Sequence, residues 1–561
     1  MSLRVPQMKN QMYVLPELLE EKVENGPHTA RFYIYLADRL NLELYKKEVM
    51  GTTPYSRRTL MAVILYSMHE GYFSSKGILK YANDSIGAHW ILNGMKIPSY
   101  KTVERVIQSL LDEIDNFFTQ ILLICEQLSL IGKNRIYIDG VKIKANASKH
   151  KAISYDHLVK KIPSYKNELE LLFTELKSSI DGLENLSDEV MERLINREAE
   201  EVHNVLRKNH QKALEIGERQ TFNIDLKKTE EENEINYNEL NAKSDILKNT
   251  GQEKYDETVE TLNNIAFVKK RVERMEDAKA ELESKWKREN GDKKIPEKKQ
   301  INFTDSDSCI MVTKHHGVQQ CYNNFALVDD KAHIILGTYT SNNSSDQLGL
   351  IPTIENTEGL YGSLEGFKLG ADAGFFSASN ILYAQRKGID YYASYPEANS
   401  KYAKDKFKYD NSTDTYTCPE RYVLTMQKQL NEGKIQQYSN EKACASCPNS
   451  SACTKAKDGI RRIERDMKND RIREKAKEKA NSEEGREILR QRKSIPEPVW
   501  GNIQTQDGLT QMHYRGLENA SLEFRLHSAI HNIRKIIKVY FFSRSYQEFI
   551  HSSEWNYQQS G

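Results

Sequence analysis

Three carboxylates in this chain lie where a side chain could bind a metal ion. Asp139 follows the apolar run 136–138, and the alternating pattern around it predicts a strand that carries the acid into an open edge or cleft. Asp372 ends a short apolar run, and Ser377 after it is a typical N-cap of a helix. Glu497 lies between two prolines that fix the backbone on both sides. Mg²⁺ prefers oxygen ligands and keeps open positions for substrate phosphates, so these acids predict a two-metal site for phosphoryl transfer.

A rival for the second acid is Asp329. A single aspartate at a strand end is more typical of a turn or a helix cap than of a metal site. Because Asp329 and Asp330 together are typical of a hairpin turn, Asp329 ranks below Asp372.

The composition is compatible with a large multi-domain protein. The chain has 561 residues, of which 38% are hydrophobic and 29% charged, and its formal net charge is +1. This balance gives no global field that would attract DNA, so a nucleic-acid surface would have to come from local charge clusters. No apolar run approaches the roughly 20 residues that span a bilayer, and the first residues lack the apolar stretch of a signal peptide. We therefore predict a cytoplasmic protein with no membrane contact.

The elements that must position the acids fall into several regions. Residues 1–130 have helical periodicity and predict either a DNA-end-binding domain or a helical packing domain. Residues 155–300 are rich in Glu, Lys and Asn and carry two apolar stripes at helical spacing, which predicts a helical hairpin with its turn near 249–252. A solvated structural insertion is the favoured interpretation of this hairpin, and a DNA or dimer contact is the alternative.

Strand patterns resume at 309–341, and another strand is predicted after the helix that begins near Ser377. The Asp139 strand, an adjacent hairpin, a strand that ends at Asp372, a helix and a fifth strand together predict a mixed α/β sheet. We expect Glu497 to come from a later helix packed on this sheet. The predicted regions are 1–130, 131–154, 155–300, 301–400, 401–480 and 481–561.

Four of the seven cysteines fall within 36 residues. They are Cys418, Cys444, Cys447 and Cys453. A Cys-x-x-Cys pair with two further thiols predicts a structural zinc site, and unmetallated thiols are the alternative because disulfides are rare in a reducing cytoplasm. The following stretch, 455–479, has eleven basic and six acidic residues and predicts a DNA-backbone contact or a charged surface helix.

Short motifs in a fixed order carry a family resemblance. They are DSD at 305–307, CYNNFALVD at 321–329, the block around Asp372, EGR at 484–486, EPVWG at 497–501, YRGL at 514–517 and AIHNI at 529–533, together with SSK at 74–76, Trp90 and PSYKT at 98–102 near the N-terminus. These blocks resemble the DDE transposases of bacterial insertion sequences over most of the chain outside 155–300.

The resemblance implies an α/β fold: an RNase H-like mixed-sheet core with an N-terminal all-α domain, a long helical-hairpin insertion and a small Cys-rich zinc-binding insertion. It implies two Mg²⁺ or Mn²⁺ ions on Asp139, Asp372 and Glu497, water attack at the element's ends, and attack of the liberated 3′-OH on target DNA. The implied partners are the terminal inverted repeats, target DNA and further copies of the chain, in a homodimer or higher oligomer on DNA at the bacterial nucleoid.

The family's glutamate is accompanied by a tyrosine, an arginine and a cation. Arg492 matches the arginine, which could contact a phosphate in a bidentate way. Leu489 occupies the tyrosine's place, and Gln504 occupies the cation's place and can only hydrogen-bond.

Two other classes of protein remain as alternatives. One is an RNase H-like metal-dependent DNA nuclease without strand transfer, and the other is a non-catalytic DNA-binding protein built from zinc and helical modules. The acids disfavour the second, because a pure binder does not need them.

Overall fold

The computed structural model describes residues 29–45, 55–179, 234–313, 317–396 and 399–542. The chain divides into two compact units. One comprises Met1–Lys149 and Asp307–Gly561, and the other comprises His150–Ser306. The second unit contains the whole of the insertion predicted at 155–300.

The first unit begins with a set of short helices. They are α1 (Thr29–Arg39), α2 (Arg57–His69), α3 (Ser75–Asp84), α4 (Ile86–Leu92), α5 (Tyr100–Leu111) and α6 (Ile114–Gln127), and strand β1 (Arg135–Lys144) follows them. Helices α2 to α5 each begin after a serine whose side chain accepts a hydrogen bond from a backbone N–H three residues later. These N-caps explain why the helices start where they do. The helices share one hydrophobic core with the strands that follow.

The second unit is built on two long helices. Its elements are β2 (Ala152–Ser154), α7 (Tyr155–Ser179), α8 (Glu234–Asn290) and β3 (Gln300–Asn302). Leu158 near the start of α7 packs with Leu282 near the end of α8, so the two helices are antiparallel. The turn predicted near 249–252 is wrong, because α8 is continuous through it. One glycine inside a helix costs only about 1 kcal/mol, so Gly251 does not break the helix. Residues 180–233 lie outside the described residues.

A mixed six-stranded sheet forms the centre of the first unit. After β1, its strands are β4 (Cys309–Thr313), β5 (Gly317–Asp329), β6 (Ile335–Ser341), β7 (Lys368–Ala371) and β8 (Asp390–Ala393). Strand β5 pairs antiparallel with β1, β4 and β6, whereas β7 is parallel to both β1 and β8. The central strand β5 is buried along 321–329, because both faces of the sheet are covered there.

The register of this sheet aligns two of the predicted acids. Tyr137 of β1 lies beside Gly370 of β7. Two residues further along each parallel strand, Asp139 and Asp372 are therefore level with each other.

Helices pack against the strands on which the acids lie. In chain order the remaining helices are α9 (Leu350–Leu360), α10 (Ala378–Arg386), α11 (Glu441–Ala445), α12 (Ser450–Cys453), α13 (Met467–Ala480), α14 (Glu483–Gln491), α15 (Pro496–Thr505) and α16 (Leu517–Phe542). Helices α9 and α16 pack on β6, α14 packs on β7 and β8, and α15 contacts β1. The chain after the sheet thus returns to the strands that carry Asp139 and Asp372.

A second, five-stranded antiparallel sheet lies between β8 and α13 in sequence. It contains β9 (Lys408–Asp410), β10 (Thr415–Thr417), β11 (Val423–Leu430), β12 (Ile435–Ser439) and β13 (Ile463–Asp466), and α11 and α12 lie in the connection between β12 and β13. It has a small core of its own, which includes Phe407, Tyr416 and Tyr438. None of the helices in the described ranges combines the length and apolar character that crossing a bilayer requires.

Candidate catalytic site

Asp139 lies within β1, among charged groups contributed by three other parts of the chain. Burial raises the pKa of Asp139 to about 6, because the carboxylate is removed from water. The backbone N–H of Gly140 and the guanidinium of Arg492 lower this pKa, whereas the carboxylates of Asp372 and Asp346 raise it. The predicted residues Asp139, Asp372 and Arg492 are therefore brought together, and Asp346 joins them.

Asp372 follows β7 and remains accessible. It is the N-cap of a short 3₁₀ turn, Ala373–Phe375, and its Oδ1 accepts a 2.7 Å hydrogen bond from the N–H of Gly374. Its side chain is 35% exposed, and Oδ2 lies 3.9 Å from Nη1 of Arg492. One carboxylate oxygen thus caps the turn, while the other faces a cation and solvent.

Asp346 is a site residue that the sequence analysis did not predict. It begins the 3₁₀ turn Asp346–Leu348 between β6 and α9, and its Oδ1 accepts a 2.8 Å hydrogen bond from Nδ2 of Asn323. A Cβ placed on Gly374 would lie 3.0 Å from Oδ1 of Asp372 and 3.1 Å from Oδ2 of Asp346. Glycine is needed here because the two carboxylates approach the backbone so closely.

The only sequence signal for this part of the site is indirect. Asn323 belongs to the CYNNFALVD motif, but Asp346 lies in a polar, serine-rich segment that is typical of any turn. Tertiary packing of that turn against Gly374 brings the acid into the site.

Glu497 lies in the first turn of α15, after Pro496, and its side chain is exposed. Val499 and Trp500 on the same helix are buried, and the helix contacts β1. Glu497 is not among the groups that shift the pKa of Asp139. Its role as the third acid stays a prediction.

Arg492 is positioned by the helix that precedes it. It is the C-cap of α14 and only 18% exposed. Near the start of α14, Glu484 forms an ion pair with Lys368 of β7 and accepts a 2.9 Å hydrogen bond from the hydroxyl of Tyr392 on β8. These contacts fix α14 to the two strands and direct its far end towards Asp372.

The rival acid Asp329 has a different environment. Its carboxylate accepts hydrogen bonds from the N–H of Gly132, at 2.9 and 3.0 Å, and from the N–H of Lys331, at 3.0 Å. It lies opposite Ile136, about 10 Å along the strand from the level of Asp139. This environment is that of a turn acid.

Residues 417–537 match the model of a protein family described as "Transposase DDE domain". The match covers less than half of the chain, and it shows that residues 417–537 are similar to a transposase DDE domain. Comparisons with curated proteins and with solved structures gave no match.

The matched range contains only part of the candidate site. Arg492 and Glu497 lie inside 417–537, whereas Asp139, Asp346 and Asp372 precede it. The geometry described above connects the two parts, because Arg492 at the end of α14 lies beside Asp372.

The four clustered cysteines line one cavity. Cys418 follows β10, Cys444 lies in α11, Cys447 follows α11, and Cys453 ends α12. Burial raises the pKa of Cys453, and the other three thiols raise it further. The N–H of Tyr422 points to Sγ of Cys418 at 3.3 Å, a contact that would stabilise a thiolate. Within the described residues no three of these Sγ atoms lie within 4.8 Å of one another, so the thiols would have to draw together around an ion.

The second half of the basic stretch lies in α13, which carries both paired and unpaired cations. Lys479 forms an ion pair with Asp390, and Lys477 lies over the ring of Tyr395 at 5.0 Å. On the exposed face, Lys468, Arg471 and Lys475 are accessible and form no ion pair with any described residue.

Proposed function

We propose that this protein is the transposase of a bacterial insertion sequence, which cuts the element's ends and joins their 3′-OH groups to target DNA. The observation that carries the proposal is the placement of Asp139 and Asp372 on adjacent parallel strands, together with Arg492, in a chain whose C-terminal part matches a transposase DDE domain. The strand order β6-β5-β1-β7-β8 supports an RNase H-like core, with β4 as an addition to β5.

The donor set fits a hard divalent cation. Asp139, Asp346 and Asp372 supply carboxylate oxygens, and Arg492 is the cation that lowers the pKa of Asp139. The surplus of negative charge would be relieved by Mg²⁺ or Mn²⁺. On this proposal Asp139, Asp372 and Glu497 are the metal ligands, and Asp346 either joins them or orients Asp372. Two bound ions would activate the attacking hydroxyl and stabilise the leaving 3′ oxygen.

The chain's own groups would position the DNA and the acids. The Arg492 guanidinium lies close enough to Asp372 to contact the scissile phosphate, where it would orient the backbone for in-line attack. Asn323 fixes the carboxylate of Asp346, and the N–H of Gly374 fixes that of Asp372. Both acids are therefore pre-organised before the substrate arrives.

We also propose that Cys418, Cys444, Cys447 and Cys453 bind one structural zinc ion. Four thiols, one after β10 and three from the segment of α11 and α12, line one cavity, and the set matches the Cys₄ ligands of structural zinc sites. The ion would join the end of β10 to α11 and α12. Metal analysis of fully reduced, folded protein tests this directly, and a zinc content near zero would rule the site out.

For the DNA path we propose the exposed face of α13. Replacing Lys468, Arg471 and Lys475 together by glutamine should weaken binding to all DNA sequences alike and make the salt dependence shallower, by about 0.9 in slope per lost duplex-phosphate contact. Lys479→Gln is the matched control, because Lys479 is already paired with Asp390. An unchanged slope in the triple variant would direct the search to the N-terminal helices α1–α6.

A strand-transfer assay tests the proposed function. DNA carrying the inverted repeats that flank the gene is incubated with the full chain, Mg²⁺ and a target plasmid. Cleavage followed by joining is expected for the wild type, and neither step is expected for Asp139→Ala, Asp372→Ala or Glu497→Ala. Cleavage without joining would instead favour an RNase H-like nuclease. DNA binding with neither step would favour a non-catalytic binder.

A further inference from the structure

A second group of ligand-type side chains lies around the start of α16. One ligand atom from each of His513, Glu523 and His527 lies within 4.8 Å of the others. Glu523 and His527 are four residues apart on α16 and therefore share a face of the helix. His513 comes from the loop that precedes the helix, and its side chain is 44% exposed. None of these residues belongs to the catalytic site or to the cysteine cluster.

His527 is fully buried, and its ring is fixed on two sides. The ring stacks on Phe73, with ring centroids 3.6 Å apart, and Nδ1 lies 3.2 Å from Oδ2 of Asp507. Asp507 is itself buried and forms an ion pair with Arg534. This arrangement favours the tautomer with the proton on Nδ1, and it leaves a lone pair on Nε2. A carboxylate behind one ring nitrogen is the usual support of a metal-binding histidine.

Nε2 of His527 is buried and has no hydrogen-bond partner among the described residues. A buried polar atom without a partner costs free energy, and native proteins seldom leave one unexplained. The lone pair of Nε2 therefore points to a missing ligand.

The buried carboxylate of Glu523 is also accounted for by hydrogen bonds that need no metal. Its carboxylate is 3% exposed and accepts hydrogen bonds from the N–H of His513, at 3.0 Å to each oxygen, and from the N–H of Tyr514, at 3.2 Å. It also lies 2.6 Å from Nδ1 of His513. These contacts would anchor the loop without any metal. They do not account for the unpartnered Nε2 of His527, which is one of the three residues of the group.

We propose that His513, Glu523 and His527 bind a divalent transition-metal ion, for which Zn²⁺ is the best match. Two imidazole nitrogens and one carboxylate oxygen are ligands that zinc accepts in a tetrahedral site, with water at the fourth position. Zinc bonds of about 2.0–2.1 Å require the three ligand atoms to move closer together than the 4.8 Å limit that encloses them now. The side chain of His513 is 44% exposed, and it would make that movement by giving up its 2.6 Å contact with Glu523.

The ion would stabilise the segment that follows the Asp139 strand. The loop pairs with the end of β1, since the N–H of Met512 donates to the carbonyl of Lys144 at 2.8 Å. Asn146 donates from Nδ2 to the carbonyl of His513 at 2.7 Å. A metal that joins His513 to α16 would therefore fix the C-terminal end of β1 to the helix. The site is structural, and its existence does not depend on the proposed function.

Equilibrium dialysis of the full chain against Zn²⁺, with excess Mg²⁺ to occupy hard oxygen sites, tests the proposal. His513→Ala and Glu523→Gln should each bind one zinc ion fewer per chain than the wild type, or bind that ion at least about tenfold more weakly. His157→Ala is the matched control, because it removes an exposed histidine of α7 that is not in the group, and it should bind zinc as the wild type does.

Cobalt substitution distinguishes this ion from one bound by the cysteines. Thiolate ligands give Co²⁺ an intense near-ultraviolet charge-transfer absorption, which imidazole and carboxylate ligands do not. We expect His513→Ala to lose one Co²⁺ per chain and to keep any thiolate absorption unchanged. Wild-type zinc content and affinity in both His513→Ala and Glu523→Gln would overturn the proposal. A loss confined to Glu523→Gln together with a lower melting temperature would also overturn it, because Glu523 would then be only a loop anchor.

Discussion

Asp329 and Asp372 both end strands of the same sheet, yet their surroundings are opposite. Asp329 is fully buried and accepts N–H groups from Gly132 and Lys331. Asp372 is about one-third exposed, accepts a single N–H from Gly374, and lies beside Arg492. The lone pairs of Asp329 are used by the turn, whereas those of Asp372 are still available to a cation.

The difference shows what distinguishes an acid used by a turn from an acid that is still able to bind a metal ion. A strand-end position is common to both, so position alone does not identify a metal ligand. What differs is the number of backbone donors already bound and the charge of the neighbours. Asp372 is level with Asp139 and faces other carboxylates, a costly arrangement that a metal ion would offset.

The largest expected effect is on the rate of DNA cleavage. Asp139→Asn and Asp372→Asn should each lower the rate of Mg²⁺-dependent cleavage of element-end DNA by roughly 10³-fold, because loss of a metal ligand removes about 4 kcal/mol of transition-state stabilisation. Single-turnover cleavage measures the change, and Asp84→Asn, an exposed helix-end substitution, is the control. A variant that cleaves within tenfold of the wild type would remove that residue from the set of ligands.

Asp346→Asn should have a smaller effect, about 10- to 100-fold in rate or in Mg²⁺ affinity, as is usual for groups that orient metal ligands. Its carboxylate lies close to Gly374, as that of Asp372 does, and it accepts a hydrogen bond from Asn323. A Mg²⁺ titration of the cleavage rate separates the two parameters. A titration curve that superimposes on that of Asp84→Asn would limit Asp346 to capping its own turn.

Replacing Asp329, the acid of the turn, should affect the stability of the protein instead of catalysis. Asp329→Ala leaves the N–H groups of Gly132 and Lys331 without their acceptor, which should lower the free energy of unfolding by about 2 to 3 kcal/mol. Burial raises the pKa of Asp329, and the backbone N–H groups of Gly132 and Lys331 lower it in part; the expected loss of stability comes from leaving these N–H groups without an acceptor. Urea unfolding gives the change, and cleavage per folded molecule should stay at the wild-type level. Loss of cleavage in fully folded Asp329→Ala would make it the second acid.

Replacing Asp139 should have the opposite effect on stability in metal-free protein. Its pKa is about 6 in the folded state and about 3.9 when unfolded, so ionisation above pH 6 opposes folding. In EDTA, Asp139→Asn should be more stable than the wild type by about 1 to 2 kcal/mol at pH 8, after a discount for partial exposure. The gain should shrink between pH 6 and pH 4, where the folded wild type binds the proton. Thermal unfolding across this pH range measures it, and a difference that does not change with pH would contradict the assignment of the shift to Asp139.

Much of this site could be predicted from local sequence, and the rest could not. Asp139 and Asp372 follow apolar runs, and Arg492 lies at a fixed distance from Glu497, so all three are visible in short motifs. Asp346 is brought in only by tertiary packing against Gly374. Helix α8 shows the same limit, because the penalty of Gly251 is local and the packing of a long helix outweighs it.

The most direct test of the difference between Asp329 and Asp372 is a measurement of Mn²⁺ binding to the full chain. The electron paramagnetic resonance signal of the free ion reports how much Mn²⁺ is unbound. Mn²⁺ favours oxygen ligands over thiolates, so the cysteine cluster contributes little. The wild type and Asp329→Ala should bind Mn²⁺ equally. Asp139→Asn and Asp372→Asn should each bind it at least about tenfold more weakly. Unchanged binding in Asp372→Asn, with weaker binding in folded Asp329→Ala, would contradict the account and assign the metal to the other end of the sheet.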